Sequence, residues 1–216
     1  YSGTAEVTVN AKSAVLTGKT SAIEAVGSNT ENSAKVTLNT TGAAVLKATD
    51  GSTILQSGAS NVALSAKTLT INEAGTTSKA ISLKDSSQLS ITATDDATIY
   101  GAVVGTSGTA ISADTNTLTL EDASGFLGTF NQIDGTTSIT GAKYFGGKVN
   151  VQGGSIETDD VVLTDTTTIG KSDAQSGNAS FKAKSVTLGK ATTNDATAKA
   201  GTFKTEKNGV ATIDTL

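Results

Sequence analysis

Two aspartate doublets, Asp95-Asp96 and Asp159-Asp160, crowd carboxylates together in a 216-residue chain. Grouped hard oxygens are what Ca²⁺ takes as ligands. A carboxylate pair is also the basic equipment for cleaving a glycosidic bond. The rest of the chain gives either chemistry little support. His, Cys, Met, Trp and Pro are absent, and all sixteen basic residues are Lys. A lyase or galacturonase wants Arg, His or another convergent base to stabilise developing charge, and only Lys is on offer. Nucleophilic catalysis lacks a His or Cys, and no Gly-x-Ser-x-Gly elbow, P-loop or paired-His metal site occurs. A Ser-Lys dyad is the one arrangement of that kind the composition leaves. The doublets therefore read as solvated turns between strands, with Asp95, Asp96, Asp159 and Asp160 as the candidates if calcium is bound at all. The expected protein is not an enzyme and carries no cofactor.

The elements that would position these groups are short and repetitive. "VTVN" at 7 to 10 returns as "VTLN" at 36 to 39 and "LTIN" at 69 to 72. Its apolar-polar-apolar core recurs as Leu89-Ser90-Ile91, Leu118-Thr119-Leu120, Val149-Asn150-Val151 and Val186-Thr187-Leu188. Period-two alternation over so few residues marks β-strands. The copies step by about 30 residues, in the range of repeat architectures. Further apolar groups between copies, such as Val15-Leu16 and Ile23 to Val26, imply about three strands per repeat. Gly- and Thr-rich clusters interrupt nearly every window before a helix could complete three turns.

The chain thus reads as all-β, a parallel β-helix of about seven coils forming a single domain over residues 1–216. Asn10, Asn39 and Asn72 share a phase in this scheme and are expected to stack as a side-chain ladder. A second architecture competes. Asp50-Gly51, Asp134-Gly135 and Asn208-Gly209 each lie between apolar runs and are strong two-residue hairpin signals. Hairpins would make an antiparallel β-sandwich or jelly-roll, in one domain or in two with a boundary near residues 105–115. The absence of Trp and Pro favours the β-helix.

Composition narrows the setting. With 36% hydrophobic residues and a net charge of −4 the chain should fold. Only 4% of residues are aromatic, so the core must be built from Val, Ile, Leu and Ala. Scattered lysines with no basic stripe argue against nucleic acid, and the longest apolar runs span a few residues, too short to cross a membrane. "TLT" at 68 to 70 and 117 to 119 raises an ice-binding face of ranked threonines, although 39 threonines make such matches common.

Taken together, the recurring "VTVN", "VTLN" and "LTIN", the texture of "GAVVGTSGTAISADTNTLTLEDASG" and the stretch "GGKVNVQGGSIETDDVVL" resemble two groups of bacterial surface proteins. One is the β-helical passenger of autotransporter and filamentous-haemagglutinin-type adhesins; the other is the Thr/Ala-rich S-layer proteins. The resemblance implies a non-enzymatic extracellular structural or adhesive protein of a bacterial cell surface: an S-layer or fibre subunit, or an adhesin stalk. A carbohydrate-active enzyme on a β-helix is the alternative, and an ice-binding protein a minor one. Neither end of the sequence looks capped: strand character begins before Asn10 and "GVATIDTL" carries it to Leu216. The expected partners are copies of the chain or flanking parts of the same polypeptide, together with host or surface glycans.

Overall fold

The computed structural model describes residues 3–29, 33–139, 144–145, 147–171, 178–189 and 201–216. All regular structure among them is β, and no described helix is long and apolar enough to cross a membrane. The first nine strands come in threes: β1 (Ala5–Ala11), β2 (Ala14–Gly18) and β3 (Ile23–Val26), then β4 (Ala34–Thr40), β5 (Ala43–Ala48) and β6 (Ser52–Ser57), then β7 (Ser60–Ala66), β8 (Thr68–Ile71) and β9 (Lys79–Leu83). Longer bent strands follow: β10 (Gln88–Gly105), β11 (Ala110–Phe126) and β12 (Thr129–Ile139). The remainder are β13 (Tyr144–Phe145), β14 (Val149–Val151), β15 (Gly154–Leu163), β16 (Thr166–Ile169), β17 (Ala179–Leu188), β18 (Thr202–Thr205) and β19 (Gly209–Thr215).

Their registers are parallel, and each segment pairs with the one a full repeat away; because β10, β11 and β12 each run through more than one ladder, that partner is there the next strand in sequence. Val7 pairs with Val36, Val36 with Val62, Val62 with Leu89 and Leu89 with Ile111. The same ladder continues through Phe130, Val149 and Thr167 to Phe203. A second ladder joins Leu16, Leu46, Ile71, Ile99, Leu120, Ile139, Thr158, Ala183 and Ile213. A third begins Ile23, Ile54, Ile81 and Val103 and later includes the pair Phe145 and Leu163. The chain visits the ladders in turn and returns to the first, one rung on. Inward-pointing residues of these rows form one apolar core in which Leu46, Ile54, Ile81, Ile99, Phe130 and Phe181 are fully buried.

The registers correct two expectations. The Asp-Gly and Asn-Gly pairs do not make hairpins. Asp50-Gly51 joins β5 to β6, which lie in different ladders, and Asp134-Gly135 sits inside β12 between its segments on the first and second ladders. Asn208-Gly209 similarly separates β18 from β19. Gly51 (φ 98°) and Gly135 (φ 72°) supply the left-handed bend that a corner requires. At Gly135 the fit is also close: a Cβ would lie 1.4 Å from the Thr115 carbonyl oxygen of the rung beside it.

The repeat is also shorter than read. Nine described strands stack in the first ladder where the recurring phrase counted seven, because the repeat shortens toward the middle of the chain before lengthening again in the last rungs, where Thr166 and Thr202 are 36 residues apart. Asn10 and its partner Asn39 are 29 residues apart, whereas Asn131 and Asn150 are 19 apart. In the middle rungs β10, β11 and β12 run on through their corners, with Gly101 and Gly135 at positive φ in two of them. Buried polar side chains brace these corners: the Gln132 amide donates to the carbonyls of Asp134 and Gly135 (3.1 Å to the latter) and accepts from the Thr137 hydroxyl.

Candidate functional site

Because side chains alternate across a strand, every rung presents one outward residue for each inward one, and parallel register lines the outward residues into rows. On the second ladder one such row runs Thr70, Thr98, Thr119, Ser138, Glu157, Lys182, Thr212. A parallel row, two residues earlier in each strand, holds Asp96, Thr117, Thr136, Ser155 and Ser180, with Ser155 and Thr136 hydroxyls 3.0 Å apart. Both "TLT" phrases therefore lie on this face, separated by the rung that carries Asp96 and Thr98.

Where the first row becomes charged, the face opens into a groove of about 450 Å³ lined by Ser138, Glu157, Asp159, Lys182, Lys184 and Asp214. Two acids of β15 meet bases of β17: Glu157 and Lys182 are 2.8 Å apart, Asp159 and Lys184 2.6 Å. Opposite charges on facing rungs are the favourable cross-strand arrangement. The hydrogen bond from Lys184 to Asp159, reinforced by that carboxylate's charge and then by Asp160 and Asp214, holds the Lys184 ammonium above the usual lysine range. A lysine held in its charged form is not a general base near neutrality. Asp159 and Glu157, each closed on a lysine, are arranged as ion pairs rather than as an acid and a nucleophile.

The four acidic candidates are not brought to one place. Asp95 lies at the corner between the first two ladders, 3.7 Å from Lys67, and Asp96 beside it accepts from Asn116 at 3.4 Å. Asp159 sits in the groove, while exposed Asp160 pairs in register with Ser185. Among the described residues no group of three or more acidic side chains is placed to hold a metal ion.

The asparagine ladder is correct for two of its three members. Asn39 donates to Asn10 at 2.9 Å. Asn72 is elsewhere, because "LTIN" belongs to the second ladder: with φ 62° and 2% exposure it turns the chain out of β8. Its oxygen accepts from the Thr53 hydroxyl, and its amide donates to the Tyr100 carbonyl at 3.2 Å. A ladder the phrase did not reveal joins Ser112, Asn131 and Asn150, with Asn150 donating to Asn131 at 2.9 Å and Asn131 to Ser112 at 3.3 Å.

Sequence reasoning also missed Glu157, Lys182, Lys184 and Asp214. The available signal was that Glu157 and Asp159, and then Lys182 and Lys184, repeat at two-residue spacing with opposite sign on two strands.

The other feature outside the regular rows is the first rung. Val7 is 55% and Val9 38% exposed, although the residues stacked with them on the third rung, Val62 and Leu64, are buried. Together with Leu16, Ala22, Ile23 and Leu38 they line an apolar cavity of about 230 Å³ that opens at this end. No protein-family model matches the chain, and neither a curated protein nor a solved structure matches it.

Proposed function

We propose that the chain is a parallel β-helix serving as a non-enzymatic structural and adhesive module, a rod-like segment of a bacterial surface protein exposed outside the cell. The observation that carries this reading is the uncovered first rung. Core-type side chains stand open there, and among the described residues β1 has a partner, β4, on one edge only. An edge strand with free N–H and C=O groups invites another strand. The far end is similar: Phe203 and Ile213, in register with buried Thr167 and Ala183, are only half-buried. Further rungs, from flanking parts of the same polypeptide or from a second copy, would cover these faces, and translation along one axis extends such a body without closing.

The test is sedimentation velocity over a wide range of concentration. The intact chain should show growing, elongated species, and Val7→Lys with Val9→Lys, which places charge on the open edge, should suppress them. A folded monomer indifferent to concentration would overturn the assembly reading.

One observation favours a second reading, a carbohydrate-active enzyme on the same fold: the groove does gather carboxylates and lysines on one concave face. Turnover of a pectin-like glycan, lost on Asp159→Ala with Asp160→Ala, would establish it. The ion pairing within the groove supports binding over catalysis, and a chain without turnover is the expected result.

A further inference from the structure

We infer that the second-ladder face is a binding track for an extended, uncharged hexose polymer, with the charged groove as its main subsite and the hydroxyl row leading into it as the approach. The inference rests on the adhesive reading above and places its ligand. Three features of the face point to this chemistry.

The first is the mixture of donors and acceptors. Lys182 and Lys184 offer N–H groups, Glu157, Asp159 and Asp214 offer carboxylate oxygens, and both kinds line the same groove. A sugar hydroxyl donates and accepts at once, so a vicinal diol can bridge an acid and its neighbouring lysine without leaving either ion unpaired. A polyanion would meet three carboxylates against two ammonium groups, and like charges across an interface oppose binding. A metal ion lacks a cluster to hold it among the described residues.

The second feature is the repeat. Rungs succeed one another at about 4.8 Å, close to the advance of one pyranose ring in an extended chain. Thr98, Thr119, Ser138, Glu157, Lys182 and Thr212 would each face about one sugar in a six-residue stretch. The third is continuity. The registers through 97–99, 117–120, 136–139 and 155–158 carry no bulge, so the row continues from rung to rung without a step and suits an extended β-linked chain better than a coiled α-linked one. The groove, at about 450 Å³, is within the usual size of a ligand site. None of its described lining residues is aromatic, so a single track should bind weakly and act through many copies along a rod.

The experiment compares cellohexaose, maltohexaose and an alginate hexamer by chemical-shift perturbation and calorimetry on the intact chain. Cellohexaose should bind, with shifts concentrated on residues 98, 119, 138, 157, 182 and 184, and at least tenfold more tightly than the other two. Asp159→Asn combined with Lys184→Met removes both charges together and should weaken binding about tenfold, whereas Glu6→Gln with Lys35→Met, a distant ion pair on the first ladder, should leave it unchanged. Absence of cellohexaose binding, equal binding of maltohexaose, preference for alginate, or shifts mapping to another ladder would each overturn the inference. If the groove variant fails to fold, the shift map on the unaltered protein decides alone. Sedimentation is read without glycan, so failure of the track and failure of the assembly reading are separate results.

Discussion

Val7 and Val62 occupy the same row of the same ladder two rungs apart, yet Val7 is 55% exposed and Val62 is fully buried. Their own strands are alike, each alternating inward and outward residues. The difference is the neighbour: Val62 has a rung on both sides and Val7 on one. Burial in this fold is conferred by the layers above and below rather than by the strand itself, so stability should accumulate rung by rung and be lowest at the ends. The middle of the molecule behaves as a core and the first rung as a surface made of core residues.

The sharpest test of that contrast is cavity formation. Ile81→Ala, at a position with no exposed surface, should cost about 2–5 kcal/mol in urea unfolding, whereas Val7→Ala should cost less than about 0.5 kcal/mol. Equal losses would break the comparison. Corners should show the same dependence on a neighbouring rung. Gly75 (φ 80°) has nothing within 4 Å of an added Cβ, so Gly75→Ala should cost only the left-handed conformation, about 1–2 kcal/mol. Gly135→Ala adds collision with the Thr115 carbonyl and should be clearly the more destabilising of the two in the same assay. Asparagines give a third, smaller contrast. Asn72→Ala strands buried partners and should cost about 1–3 kcal/mol. Asn39→Ala, on the surface next to Asn10, should stay within about 0.5 kcal/mol.

The all-β class, the parallel repeat and the interval near its start were legible because Val7-Thr8-Val9 and Val36-Thr37-Leu38 state strand alternation plainly and do pair. What the phrase could not convey is which ladder a copy joins. Leu69 and Leu118 lie in the second and Val186 in the later part of the third, since inward-outward-inward is the requirement on every face. Asn72 was misplaced for that reason. Asp134-Gly135 misled differently: a hairpin and a corner ask the same positive φ of glycine, and only the partner strand distinguishes them. Of the charged groove only Asp159 was visible, in the doublet at 159 and 160. Lys182 and Lys184 lie a whole rung away, and only the register between β15 and β17 brings them to Glu157 and Asp159.

The smallest expected effect is electrostatic. Lys184 is held above the usual lysine range by Asp159, so its contribution is present at neutral pH and is lost as pH rises above about 10.4, the unperturbed value, and through the folded value. Glu73, held below the usual glutamate range by its hydrogen bond to Lys47 and then by that lysine's charge, contributes above the unperturbed value of about 4.3 and loses its contribution as pH falls through the folded value. Both groups are exposed and screened. A pH series of melting temperatures should therefore show shallow slopes in these two windows, removed by Asp159→Asn and Lys47→Met respectively.

Native-state hydrogen exchange tests the layered account most directly, because it reads the opening free energy of each rung in one experiment. Amides of β7 to β11 should be the slowest, with protection falling through β4 to β6 and lowest in β1 to β3, and falling likewise toward β18 and β19. Uniform protection from β1 to β19, or slowest exchange in the first rung, would contradict it.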